Sequence, residues 1–143
     1  MTLFNNDSAH YECRWVWLTP AEKSPCVFTQ GMGPVYLPVA HGEGKLLFGN
    51  EETRATVREN ALGVFRYTDE KGRPGPFPVN PNGSTDDIAG LCNATGRVFG
   101  LMPHPERYVT RTHHPRWTRG EGHEPGDGLE IFRNAVRFAK KHI

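Results

Sequence analysis

The chain has 143 residues, with 17 basic and 16 acidic side chains and a formal net charge of +1. That length suits one domain whose apolar core needs neither disulfides nor a structural metal. The near-neutral balance, with Lys and Arg in runs no longer than two, leaves no electrostatic footprint for nucleic acid or a membrane surface.

Three cysteines, an odd number without a repeated spacing, argue against a disulfide scaffold and for a reducing, cytoplasmic setting. No apolar run approaches a membrane span, and residues 1–8 lack the basic and apolar parts of a signal peptide. With 16 Gly and 12 Pro, many turns and long loops are expected.

In chain order, residues 11–18 (YECRWVWL) are aromatic and β-branched and predict a strand. Residues 35–41 (VYLPVAH) and 45–48 predict two more, joined by the turn Gly42-Glu43-Gly44. Asn50 is placed to cap a short helix reaching about residue 60, with Glu51 and Glu52 in its first turn. Residues 62–68 (LGVFRYT) read as a strand, and the Pro- and Gly-rich stretch 70–85 as a loop.

Residues 88–92 and 97–102 then predict a hairpin turned by Asn93-Ala94-Thr95-Gly96. Prolines, glycines and histidines crowd residues 103–126, which predicts a long irregular segment of the kind usually kept for function. The chain ends in a helix. Asp127 and Glu130 have the spacing of a capping box, and Leu129, Phe132, Ala135, Val136 and Ala139 form one apolar face.

Two His-x-Glu pairs carry the chemistry that is visible: His41-Gly42-Glu43 and His104-Pro105-Glu106. In extended backbone, residues two apart share a side, so a carboxylate can fix the tautomer of the imidazole and stabilise its charged form. That is the orienting half of a nucleophile–His–acid triad. The second pair has the stronger context. It follows an apolar run, VFGLM, and prolines on both sides of His104 stiffen its backbone. Sites are commonly built at such strand ends.

The segment GRVFGLMPHPER resembles the His-x-Glu segment of class I glutamine amidotransferases. Four further stretches are similar to the purine-pathway branch of that family, the glutaminase subunits of phosphoribosylformylglycinamidine synthases: ECRWVWL, PVAHGEG, NPNGSTDDIAGLCN and GDGLEIFRNAV. The resemblance runs from about residue 6 to 138. It implies an α/β fold, the C-terminal part of a flavodoxin-like open sheet, here with hairpin strands and one long terminal helix. It also implies that residues 1–143 are a single domain, the C-terminal fragment of an amidotransferase domain.

By the same resemblance, His104 is the triad base and Glu106 the acid that orients it. Ser8 and Tyr11 fall in a segment near the glutamine pocket, and His41 and Glu43 line the site or a subunit interface. The implied reaction is glutamine hydrolysis to glutamate and ammonia through a cysteinyl thioester. The implied partners are glutamine, a synthetase subunit that holds ATP and magnesium, and its small accessory subunit. No cofactor is implied for this chain.

The family's nucleophile sits on a strand–turn–helix elbow, and no such segment occurs here, so the missing N-terminal half of the domain is a further implied partner. Gly90-Leu91-Cys92-Asn93-Ala94 imitates an elbow, but it leads into a turn and a strand rather than a helix. Cys13 lies in a strand pattern and Cys26 in a loop.

Several residues keep two readings. His41 and Glu43 also fit a tight turn with polar tips, and Ser8 and Tyr11 an ordinary loop entering a strand. His113, His114 and His123 do not have a recognised metal-ligand spacing. Two other functions are expected to compete with the glutaminase: a non-catalytic module that docks on the synthetase, and a metal-dependent hydrolase using His41, Glu43, His104 and Glu106.

Overall fold

A computed structural model describes residues 1–142. Nine regular elements follow in chain order: β1 (Thr2–Phe4), β2 (Glu12–Pro20), β3 (Val35–His41), β4 (Lys45–Leu47), α1 (Glu51–Glu59), β5 (Gly63–Thr68), β6 (Ile88–Cys92), β7 (Phe99–Leu101) and α2 (Leu129–His142). Single 3₁₀ turns fill parts of the loops, including Pro105–Arg107, Arg111–His113 and Trp117–Arg119 in the long segment before α2.

Five strands form one sheet in the order β3-β2-β5-β6-β7, and β1 pairs with β4 in a separate ribbon. Every pairing is antiparallel. The sheet curls. Beyond β7, the Met102 N–H donates to the Ala89 carbonyl at 3.0 Å, and the His104 N–H then donates to the Pro38 carbonyl of β3 at 2.8 Å. β3 is the opposite edge of the sheet, so this bond ties one edge to the other.

The main core cluster holds Leu18, Leu37, Val39, Val64, Phe65 and Tyr67, all fully buried, together with Tyr108 and Ile131. Burial of each large apolar side chain contributes about 1.5–3 kcal/mol.

The expected strands, the hairpin at β6–β7 and the long terminal helix are present, and α1 is capped as its sequence implies. Asn50 Oδ1 accepts the Thr53 N–H at 2.8 Å. β3 and β4 are joined by the 42–44 turn as expected, and β4 pairs with β1 rather than with β3. Two expectations need correction. Asp127 does not act as the capping-box residue. Its Oδ2 accepts the Tyr36 N–H at 2.7 Å and its Oδ1 lies 2.9 Å from His123 Nε2.

Nor does the apolar stripe of α2 face the core, since Phe132 and Val136 are exposed while Ile131 and Asn134 are buried. Asn134 explains the rotation. Its Nδ2 donates to the Phe28 and Gln30 carbonyls at 3.0 and 3.1 Å, seating the helix on the turn that follows Cys26. Among the described residues no helix is long and apolar enough to cross a membrane.

Candidate active site

His104 sits just past the end of β7, after the fully buried Pro103. Its backbone is extended, and Pro105 then starts a 3₁₀ turn that carries Glu106. The pair therefore meets through a turn rather than through strand alternation. Glu106 Oε1 lies 2.7 Å from His104 Nδ1. A carboxylate only accepts, so Nδ1 carries the proton and Nε2 presents its lone pair. The His104 side chain is 32% exposed. Arg107 Nε stands 3.7 Å from the same Oε1 and shares the carboxylate's charge.

The start of α2 supports this turn from beneath. The Gly128 N–H donates to the Tyr108 carbonyl at 2.8 Å, and a Cβ at Gly128 would strike the Pro105 carbonyl. Only glycine allows that approach. An imidazole held in one tautomer by a carboxylate, on a stiff and doubly braced turn, is equipped to take a proton at Nε2 and return it.

The other His-x-Glu pair is arranged differently. His41 is buried, and its partners are amides. Nδ1 lies 3.0 Å from Asn6 Oδ1, and Nε2 lies 3.4 Å from Asn82 Nδ2. Glu43 is exposed at the tip of the turn. Burial pushes His41 below the usual histidine range, against the opposing pull of the Glu12 charge, and the charge of His104 pushes it the same way as burial.

Ser8 Oγ donates to Glu12 Oε1 at 3.0 Å and lines a cavity of about 700 Å³ with Asp7, Phe77, Asn80, Gly83 and Asp87. Tyr11 is 66% exposed and is not part of that lining. Sequence reasoning missed Asn6 and Asn82, which hold His41, and Glu12, which faces it across the β2–β3 pairing. A cue was present only for Asn82. It lies between Pro81 and Gly83 in a loop, and such residues are often used for side-chain-to-backbone bonds.

None of the three cysteines stands on a strand-to-helix elbow. Cys92 ends β6, buried, with its Sγ 3.8 Å from Ser24 Oγ, and it enters the Asn93–Gly96 turn. Cys26 is buried, and desolvation raises its thiol above the usual range. Cys13 is exposed on β2.

The loop histidines have separate surroundings. His113 Nδ1 accepts the Val109 N–H, His114 packs among Trp15, Tyr36 and Tyr108, and His123 pairs with Asp127. Among the described residues no three His, Cys, Asp or Glu side chains come together to hold a metal ion. The metal-hydrolase alternative further needs His41 as a ligand, and both of its nitrogens are occupied by amides.

Comparison with known proteins gives a consistent result. Residues 1–139 match the family model of the CobB/CobQ-like glutamine amidotransferase domain. The phosphoribosylformylglycinamidine synthase subunit PurQ of Dehalococcoides mccartyi is 51% identical over 99% of this chain and 54% of its own length. The subunit of the same name from Methanococcus maripaludis is 41% identical over 97% of this chain and 55% of its own. Among solved structures, PurLQS from Thermotoga maritima superposes with a TM-score of 0.68 at 28% identity, over 96% of this chain and 52% of that one. The chain thus spans about half the length of the curated relatives it matches.

Proposed function

The chain belongs to the CobB/CobQ-like glutamine amidotransferase family, and from that we propose that it is the His–Glu part of a glutaminase that supplies ammonia to phosphoribosylformylglycinamidine synthase. The observation that carries this reading is the 2.7 Å contact between His104 Nδ1 and Glu106 Oε1, with Nε2 left as a base.

In this reading residues 1–143 are one unit, the C-terminal part of the amidotransferase domain. The thiol comes from a part of that domain which these residues do not include. His104 Nε2 takes the proton of the thiol, the thiolate bonds to the side-chain amide carbon of glutamine, and the C–N bond breaks as Nε2 delivers that proton to the departing ammonia. Water then attacks the glutamyl thioester while Nε2 takes its proton, and glutamate leaves with the thiolate restored. Glu106 stabilises the imidazolium formed between these steps.

Ser8 and Tyr11 contact glutamine, and the exposed Glu43 borders the site or a subunit interface. Ammonia passes to a synthetase subunit, which holds ATP and magnesium and is accompanied by a small accessory subunit. The setting is the cytoplasm.

The test is a paired assay on the complex of this chain, the thiol-bearing part and the synthetase. His104→Ala is expected to abolish glutamine-dependent amidine formation while leaving formation from added ammonia intact. Glu106→Gln keeps the shape of the acid but not its charge, and should cost less. The 143-residue chain alone should release no glutamate. Glutamine use at the normal rate by His104→Ala would overturn the assignment.

A further inference from the structure

His41 lies three residues beyond Pro38 on β3, the strand whose carbonyl holds the His104 N–H. The residue is 7% exposed, and the hydrogen-bond network around its ring dictates its charge. Asn6 Nδ2 donates to the His10 and His41 carbonyls at 2.9 and 2.8 Å, which fixes the amide so that Oδ1 faces the ring. That oxygen also accepts the Gly44 N–H at 3.1 Å. Nδ1, at 3.0 Å from it, therefore carries a proton.

On the other side, Asn82 Oδ1 accepts the Ser84 N–H at 3.0 Å and Asn82 Nδ2 donates to the Gly44 carbonyl at 2.9 Å. The amide is fixed with its nitrogen toward the ring, so Nε2 accepts and carries no proton. A proton on Nε2 would set two donors face to face.

We propose that His41 is a positioning residue for His104: a permanently neutral imidazole that braces the end of β3 and the 41–44 turn, so that the site holds one protonatable imidazole instead of two. This rests on the reading of His104 as the glutaminase base. The other titratable groups facing His41 fit the arrangement. Glu12, opposite it on β2, is engaged by Ser8 Oγ and by Arg14, whose Nη2 lies 2.7 Å from Oε2. The Tyr67 hydroxyl lies 3.3 Å from Asn82 Nδ2, whose two N–H groups are shared among the Gly44 carbonyl, Tyr67 and Nε2. His104 is the second imidazole, and its charge is felt at His41. A cation at His41 would both open the brace and oppose the imidazolium that His104 must form.

Two variants of the assembled enzyme test this, each assayed with glutamine and with ammonia across pH. Asn82→Asp replaces the donor facing Nε2 by a carboxylate, which favours a protonated His41. Glutamine-dependent kcat at neutral pH should fall by about tenfold to a hundredfold, the range expected for a misplaced base. The acid limb of its profile should move up by about one pH unit or more, with activity recovering in alkali. KM and the ammonia-dependent rate should hold. His41→Gln removes the titration and should lower kcat at every pH with the limb unmoved.

An Asn82→Asp enzyme whose profile keeps its wild-type position, or a His41→Gln enzyme with wild-type kcat, overturns the proposal. Nitrogen-15 imidazole spectra of the unmutated complex test it without any variant. A neutral Nδ1–H tautomer at His41 is expected at pH 7, and an imidazolium or Nε2–H signal overturns it. His104→Ala serves as the control, because glutamine use surviving in that variant refutes the functional reading itself, whatever His41 does.

Discussion

Gly44→Ala is the smallest change that should break the arrangement around His41. A Cβ at Gly44 would lie 2.6 Å from His41 Nε2 and closer still to Cε1 and Nδ1. Overpacking of a fixed core costs about 1–3 kcal/mol. If the ring swings away instead, its bonds to Asn6 and Asn82 are lost, at about 0.5–1.5 kcal/mol each, while both amides keep their bonds to Gly44. Either route gives a loss of about 1–3 kcal/mol. Gly49→Ala is the matched control: a Cβ there meets nothing within 4 Å, and neither glycine has a positive φ, so backbone strain enters neither comparison. A surface change of that kind stays within about 0.5 kcal/mol of wild type. Urea unfolding followed by Trp fluorescence reads the difference, since Trp15 and Trp17 are half-buried against Tyr36. With a slope of about 2 kcal/mol per molar urea, the Gly44→Ala midpoint should drop by about 0.5–1.5 M. Superimposable curves for the two alanine variants would show that the ring is free to move and that the network does not hold it.

Asp86 accepts two bonds from Arg54, at 2.6 and 3.0 Å, and that pairing holds its carboxyl below the usual range. Asp86→Asn, which keeps a residue tolerant of the positive φ there, should cost about 1 kcal/mol after solvent screening. The difference from wild type should be constant at neutral pH, shrink as pH falls below about 4, and vanish below the depressed folded value, as checked by urea midpoints across pH. Cys92→Ser should keep most glutamine-dependent activity in the assembled enzyme and still form a covalent adduct with a glutamine-like electrophile. Loss of the adduct would make the end of β6 the nucleophile's site after all.

Legibility in the sequence followed the range of the interactions. Asn50, the strand-forming residues 35–41 and the turn at residues 93–96 act over a few residues, and each produced the element expected of it. The direction of the α2 stripe was not readable, because it depends on Asn134 reaching two carbonyls more than 100 residues away. The capping box failed for a similar reason: Asp127 has the right spacing, but the Tyr36 N–H, 91 residues distant, claims its carboxylate. At the candidate site the spacing His104-x-Glu106 was visible, while the Pro38 carbonyl that fixes the backbone of His104 becomes its neighbour only when the sheet curls.

The two His-x-Glu pairs have the same spacing and opposite electrostatic consequences, and the difference lies in what each ring meets. His104 is partly exposed, and its Nδ1 faces the Glu106 carboxylate. His41 is buried between an amide oxygen and an amide nitrogen, and a proton arriving at Nε2 there would lose a hydrogen bond and gain no countercharge in direct contact. The nearest carboxylate with a claim on it, Glu12, is already engaged by Ser8 and Arg14. In the proposed reaction, proton transfer then falls to the ring at the end of β7. The backbone bond from His104 to Pro38 joins the two, so the strand that carries His41 is the strand that holds the backbone of His104.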